Sequence, residues 1–172
     1  MNQVERYCSS EQLLEIMRNK KAFICDMDGV IYHGNKLLEG VVDFVEWLQS
    51  EHKQYLFLTN SSERSQMELH LKLRRLGLEV DVSHFYTSAL ATAGFLDSQI
   101  SHGTAYVIGE AGLINALYEA GYTMNDINPD YVVVGESRTY NYDTVIKAAN
   151  LVTKGARLIG TNPDLTGPSE YG

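Results

Sequence analysis

Apolar positions along this chain fall into two spacings, one helical and one continuous, and they take turns. Leu13, Leu14, Ile16 and Met17 make a helical stripe behind Ser9 and Ser10, either of which suits an N-cap, so a short helix is predicted over residues 9 to 20. Ala22 to Cys25 is an unbroken apolar run that stops at Asp26, the pattern of a short buried strand. Helical spacing returns over residues 41 to 53, where Val41, Val45 and Leu48 share one face with Phe44 and Trp47 beside them. A second apolar run, Tyr55 to Leu58, gives way to Thr59, Asn60, Ser61 and Ser62. From roughly Ser62 to Leu76 the spacing is helical again, with Gly77 placed as a C-cap.

Strand, helix, strand, helix with continuous apolar strands implies a parallel sheet carrying helices on its faces. Both strands end in polar residues, at Asp26 and at Thr59. Ligands of open α/β sheets bind just outside the carboxyl ends of the strands, so these two polar ends are expected to meet at one site.

The second half repeats a unit. AYVIGE (105 to 110), YVVVGE (131 to 136) and ARLIGT (156 to 161) are apolar strands that each end in glycine followed by Glu or Thr. Helices fit between them, in AGLINALYEAG and YDTVIKAANLVTKG, which predicts a second parallel sheet of βα units. FYTSALATAGFLDSQ reads as a helix leading into that sheet. The pattern resets between Gly77 and Phe85, so residues 1 to 80 are expected to form one domain and residues 81 to 172 another, packed directly against it.

Composition narrows the function classes. The chain has 172 residues and is 44% apolar and 21% charged, ordinary values for a soluble globular protein. Its net charge of -8 argues against nucleic acid, which needs basic patches. A small phosphorylated substrate needs only local positive charge or a metal. No stretch approaches 18 apolar residues, and the first residues lack a basic segment followed by an apolar one, so a cytoplasmic protein away from membranes is expected. Cys8 and Cys25 make no disulfide framework, and Cys25 reads as a buried thiol.

The chemistry concentrates in FICDMDGVIYHG, residues 23 to 34. In an extended segment Asp26 and Asp28 point the same way, and their carboxylates repel unless a cation lies between them or one is protonated. Mg²⁺ suits such a pair, because it takes carboxylate, carbonyl and phosphate oxygens. An EF-hand loop does not fit: Val30 stands where a ligand is needed and Gly29 comes too early. Taken alone, DxDG is a short pattern that fits a turn or a helix cap better than a metal site.

The motifs in order resemble those of a known family. DxDG after an apolar strand (Asp26, Asp28, Gly29) and a Thr ending the next strand (Thr59) are similar to the first two motifs of the haloacid dehalogenase-like phosphohydrolases. CDMDGVIYHGN, FLTNSS, FYTSALATAGFL, AYVIGEAGLINALYEAGY, NPDYVVVGESRTYNYD and GARLIGTNPD together resemble the NagD-type subgroup, whose members dephosphorylate nucleotides and small phosphate esters. The resemblance runs from about residue 22 onward. It implies a Rossmann-like parallel-sheet core with an inserted α/β cap domain that closes over the phosphate site. Asp26 would be the nucleophile and form an aspartyl-phosphate. Asp28 would be the general acid and then the base. Mg²⁺ would be held by the Asp26 carboxylate and the Asp28 backbone carbonyl. Thr59, with the backbone N–H groups of Met27, Asp28 and Asn60, would bind phosphate oxygens. Asn162 and Asp164 in GTNPD would lie near the substrate.

Plainer readings stand beside these. Thr59 fits a helix N-cap, although Ser61 or Ser62 could cap instead. Asn162 to Asp164 fits a simple turn. Tyr140 and Tyr142 could stack on a base, but such aromatics more often lie in a core or at a domain contact. His33 reads as a solvated loop residue. The sequence departs from the family where a GKP-type lysine and a GDxxxTD-type acidic segment should follow the cap, and Lys147 and Lys154 belong to a cap helix. The expectation is a piece of a longer protein, with an incomplete core sheet and little activity of its own. The expected activity of the whole is Mg²⁺-dependent phosphomonoester hydrolysis. A phosphate-binding module without turnover and a phosphotransferase of the same superfamily are the alternatives, and self-association through the cap is left open.

Overall fold

The computed structural model describes residues 9–164 and 166. Cys8 lies outside them, as does most of the final TGPSEYG stretch. The chain opens with α1 (Ser10–Arg18), capped by a reciprocal pair in which Ser9 accepts from the Gln12 N–H and Gln12 answers the Ser9 N–H. The first sheet holds β1 (Ala22–Asp26), β4 (Gln54–Thr59) and β5 (Phe85–Thr87), all parallel in the order β1-β4-β5. Between β1 and β4 come a two-residue hairpin, β2 (Tyr32–His33) with β3 (Lys36–Leu37), and α2 (Val41–Ser50). α3 (Gln66–Arg75) precedes β5. The core forms where Val41, Val45 and Leu48 of α2 and Leu69 and Leu73 of α3 meet Phe57, Phe85, Met27 and Ile31. Each such side chain contributes about 1.5–3 kcal/mol by leaving water.

The second sheet is larger and also wholly parallel, in the order β7-β6-β8-β9: β6 (Thr104–Ile108), β7 (Thr123–Met124), β8 (Tyr131–Val134) and β9 (Arg157–Gly160). α4 (Ser88–Gln99) and α5 (Ala111–Glu119) cover one face with Leu96, Leu113 and Leu117, while Ala148 and Leu151 of α6 (Tyr142–Thr153) cover Ile108 and Val132 on the other. The glycines that end β6 and β8 have a common cause. A Cβ on Gly109 would stand 2.8 Å from Leu113 Cδ2, and one on Gly135 2.7 Å from the same atom. Leu113 is fully buried and has nowhere to go, so both strand ends must be bare for α5 to seat. Gly160 has no such crowding, so the three-fold glycine rhythm is not one physical rule.

The structure corrects the sequence reading in three places. Phe85–Thr87 is a strand and not the start of the helix, because Phe85 and Thr87 turn inward beside β4 and Thr87 then caps α4. The first sheet therefore reaches past residue 80, where the first domain was expected to end. α3 starts at Gln66, not near Ser62; Ser65 is its N-cap in a capping box with Glu68, and Ser61 and Ser62 are engaged elsewhere. β1 is buried on one face only: Phe23 and Cys25 face the helices, while Ile24 is 73% exposed. Among the described residues no helix is long and apolar enough to cross a membrane.

Candidate active site

β1 and β4 run in register with Asp26 opposite Leu58, so the end of one strand lies alongside the end of the other. Beyond Asp26 the chain must turn sharply. Gly29 takes φ +79°, a backbone that a Cβ would strain, and its N–H reaches the Tyr32 carbonyl at 2.8 Å. Ile31 N–H closes the turn on the Met27 carbonyl at 2.9 Å. The glycine of DxDG is thus a turn residue, which returns the chain so that Tyr32 packs beneath Asp28.

Asp28 is the meeting point. Its Oδ2 lies 3.5 Å from the Thr59 hydroxyl and 3.5 Å from the Tyr32 hydroxyl. Thr59 is buried, and its Oγ1 also accepts the Ser61 N–H at 3.1 Å, which bends the loop after β4. The hydroxyl is thus turned to Asp28 and Ser61, and Ser65, not Thr59, caps the helix that follows. The sequence reading did not single out Tyr32. Burial first, and then the charge of Asp28, holds its phenol above the ordinary range, with Arg64 pulling the other way. It therefore stays a neutral hydrogen-bond donor. The buried Lys72 ammonium lies 3.5 Å over the Tyr32 ring, a second contact that spacing on α3 did not reveal.

Asp26 is exposed at the strand end, and its Oδ1 accepts the Met27 N–H at 2.7 Å. Asn60 and Asp164, 104 positions apart, are joined by a bond of 2.8 Å from Asn60 Nδ2 to Asp164 Oδ2. Asn162 folds its own turn by accepting the Asp164 N–H at 2.9 Å. So NPD is a turn, and the turn delivers Asp164 to the loop after Thr59. Tyr140 donates to the Gly135 carbonyl at 2.6 Å, Tyr142 is 79% exposed at the start of α6, and His33 is exposed on the hairpin. Burial raises the Cys25 thiol above its usual range.

As a metal site, the Asp26 carboxylate and the Asp28 carbonyl are hard oxygen donors of the kind Mg²⁺ takes. Among the described residues no cluster of three or more His, Cys, Asp or Glu gathers. The donors fit part of a Mg²⁺ shell, an ion that ordinarily keeps several waters.

Residues 23–123 match the family described as haloacid dehalogenase-like hydrolase. The chain is 43% identical over 151 residues to a dihydroxyacetone phosphatase of Corynebacterium glutamicum, covering 88% of this chain and 55% of that protein. It is 44% identical over 151 residues to the ribonucleotide monophosphatase NagD of Escherichia coli K12, covering 88% of this chain and 60% of that one. A solved structure of NagD from E. coli K-12 superposes with a TM-score of 0.80 at 45% identity, over 86% of this chain and 58% of that chain. A glycerol phosphate phosphatase of Mycobacterium tuberculosis, solved in complex with magnesium, superposes with a TM-score of 0.80 at 28% identity, over 88% of this chain and 46% of that one. The chain thus spans about 55–60% of the length of the curated relatives it matches.

Proposed function

The chain belongs to the haloacid dehalogenase-like hydrolases, and from that premise we propose that it carries the nucleophile half of a phosphomonoester hydrolase for small phosphate esters. The observation that carries this reading is the convergence of Asp28 and the Thr59 hydroxyl at the joined ends of β1 and β4, one step from the exposed carboxylate of Asp26.

In this reading the Asp26 carboxylate attacks phosphorus and the ester oxygen leaves as an alcohol with the proton from Asp28. Asp28, now a carboxylate, takes a proton from the water that splits the aspartyl-phosphate, releasing phosphate and restoring Asp26. The Tyr32 hydroxyl keeps the Asp28 side chain turned toward the reacting oxygen. The Thr59 hydroxyl, turning from Asp28 to the ligand, and the Asn60 N–H would hold phosphate oxygens. Bound Mg²⁺ would supply charge stabilisation for the transferring phosphoryl group, held by the Asp26 carboxylate and the Asp28 carbonyl. The substrate class we infer is phosphate monoesters of small molecules, dihydroxyacetone phosphate and ribonucleotide monophosphates among them, after the names of the relatives.

The test is phosphate release from p-nitrophenyl phosphate, dihydroxyacetone phosphate and a ribonucleotide panel, with Mg²⁺ and with EDTA. It is run on this chain and on a chimaera that continues after Asp164 with the C-terminal part of the E. coli NagD sequence. Mg²⁺-dependent release that Asp26→Asn lowers by roughly 10⁴-fold or more supports the reading. Full turnover by an Asp26→Asn chimaera would overturn it. Phosphate binding without release by either protein would instead favour a binding module.

A further inference from the structure

Five consecutive residues behind Thr59 each touch the second domain. Asn60 donates to Asp164 at 2.8 Å and Ser61 donates to Glu136 Oε2 at 2.7 Å. The Glu63 carbonyl accepts the Gly112 N–H at 3.1 Å, and the Arg64 backbone lies 2.5–2.8 Å from where a Cβ on Gly112 would stand. Ser62 is at the centre. It is fully buried, and its one hydroxyl oxygen receives the Glu136 N–H at 3.0 Å and the Thr161 hydroxyl at 3.2 Å. A Cβ on Gly135 would stand 2.7 Å from that same oxygen. The partners come from three places at the carboxyl edge of the second sheet: the first turn of α5 after β6, the end of β8 and the end of β9.

Two glycines are therefore used to let the second domain close on one short loop. Gly112 clears the Arg64 backbone and Gly135 clears the Ser62 hydroxyl. Inside this seam the hydroxyl of Ser62 has no water to fall back on, so its two bonds stand or fall with the seating of the domain.

We propose that Ser62 is a positioning residue that locks the carboxyl edge of the second sheet onto the loop after Thr59, so that seating of the second domain and order in that loop are one equilibrium. Resting on the phosphatase reading, the same equilibrium links phosphate held at Thr59 to closure of the domain that contacts the leaving group. A ligand that orders residues 59 to 61 necessarily favours the seated domain, and a seated domain favours the ligand by the same factor.

The experiment is residue-resolved amide exchange by NMR on the chain as it exists and on its Ser62→Ala variant. First, without ligand, the Glu136 and Gly112 amides are expected to exchange on the order of tenfold faster in Ser62→Ala, with Val132 and Val133 unchanged. Equal rates at Glu136 and Gly112 overturn the proposal. Acceleration that spreads through Val132 and Val133 also overturns it, because Ser62 is then merely part of the packing. Second, inorganic phosphate with Mg²⁺ is added. In the parent chain it is expected to slow exchange at Thr59 to Ser61 and at Gly112 and Glu136; in Ser62→Ala only the first group should respond. Retained cap protection in Ser62→Ala overturns the linkage. If phosphate slows neither group in the parent chain, the phosphate reading fails, and the ligand-free comparison alone decides the lock. Gly112→Ala attacks the same seam with Ser62 intact and is expected to loosen the Glu136 amide equally. It keeps the proposal falsifiable should Ser62→Ala fail to fold.

Discussion

Thr59 satisfies two partners with one hydroxyl, accepting from Ser61 N–H and donating toward Asp28 Oδ2. Thr59→Val keeps the shape but leaves the Ser61 N–H without its acceptor and Asp28 Oδ2 with the Tyr32 hydroxyl alone, so it is expected to cost about 1–2 kcal/mol in urea unfolding, whereas Thr59→Ser costs a few tenths. Equal losses for the two variants would show that the methyl group and not the hydroxyl matters. A second single-residue effect is electrostatic. Asp130 Oδ2 accepts the Thr104 N–H at 2.8 Å and its hydroxyl at 2.7 Å, tying the start of β6 to the start of β8. Those bonds, the Thr104 hydroxyl first, lower the Asp130 carboxyl below its usual value. A group depressed in the folded state stabilises above its unfolded value, about 3.9, and loses that contribution as pH falls through the folded value. Asp130→Ala is therefore expected to lose about 1 kcal/mol at pH 7, a small figure because the carboxyl is exposed, and its deficit is expected to shrink as the pH is brought below about 4. Urea titrations at pH 7 and below about pH 4 measure it.

Two helices carry the same cap and should respond differently. Ser9 with Gln12 and Ser65 with Glu68 are both capping boxes, but α1 buries none of its residues while α3 buries Leu69, Lys72 and Leu73. Ser65→Ala is expected to cost about 1 kcal/mol of global stability, and Ser9→Ala to change helix content by circular dichroism while leaving the unfolding midpoint in place. This contrast marks how far the sequence could be read. Apolar periodicity located both helices and every strand of four residues or more; in α3 and the strands it follows burial, while α1 shows that an apolar stripe with a cap is legible even where none of its residues is buried. It placed Asp26, Asp28 and Thr59 at neighbouring strand ends, since parallel βαβ order alone forces that. It missed β5, whose three residues are too few to show a period and sit directly against a helix of the same apolar character. It put the α3 start near Ser62 because Ser61 and Ser62 can both cap, and the engagement of Ser62 by Glu136 and Thr161 leaves the cap to Ser65. Contacts between distant segments, such as Asn60 with Asp164 or Lys72 over Tyr32, leave no local trace at all.

At the scale of the whole molecule the first sheet is asymmetric. α2 and α3 cover the face holding Phe23, Phe57 and Phe85, while the opposite face presents Ile24 at 73%, Leu58 at 43% and Tyr86 at 40% exposure. Asp26 pairs in register with Leu58, and Leu58 with Tyr86, so the Asp26 carboxylate stands on this bare face at its polar end. Parallel sheets are otherwise covered on both sides, and an apolar surface of this kind next to β1, an edge strand among the described residues, drives association. Cover on this face is expected to wall the Asp26 carboxylate away from bulk water as well, which would link completion of the core to the proposed site. The chain as it stands is expected to bind an apolar dye and to scatter light increasingly above micromolar concentration. Ile24→Thr with Leu58→Gln is expected to reduce both while changing the unfolding midpoint little, because neither side chain is packed. In the chimaera carrying the C-terminal part of E. coli NagD the same pair of substitutions should become costly. Two such side chains newly buried are worth about 3–6 kcal/mol, a loss that denaturant titration resolves easily. An equal and small effect in both proteins would mean that the face stays exposed in the longer chain, and the link between core completion and the Asp26 site would fall with it.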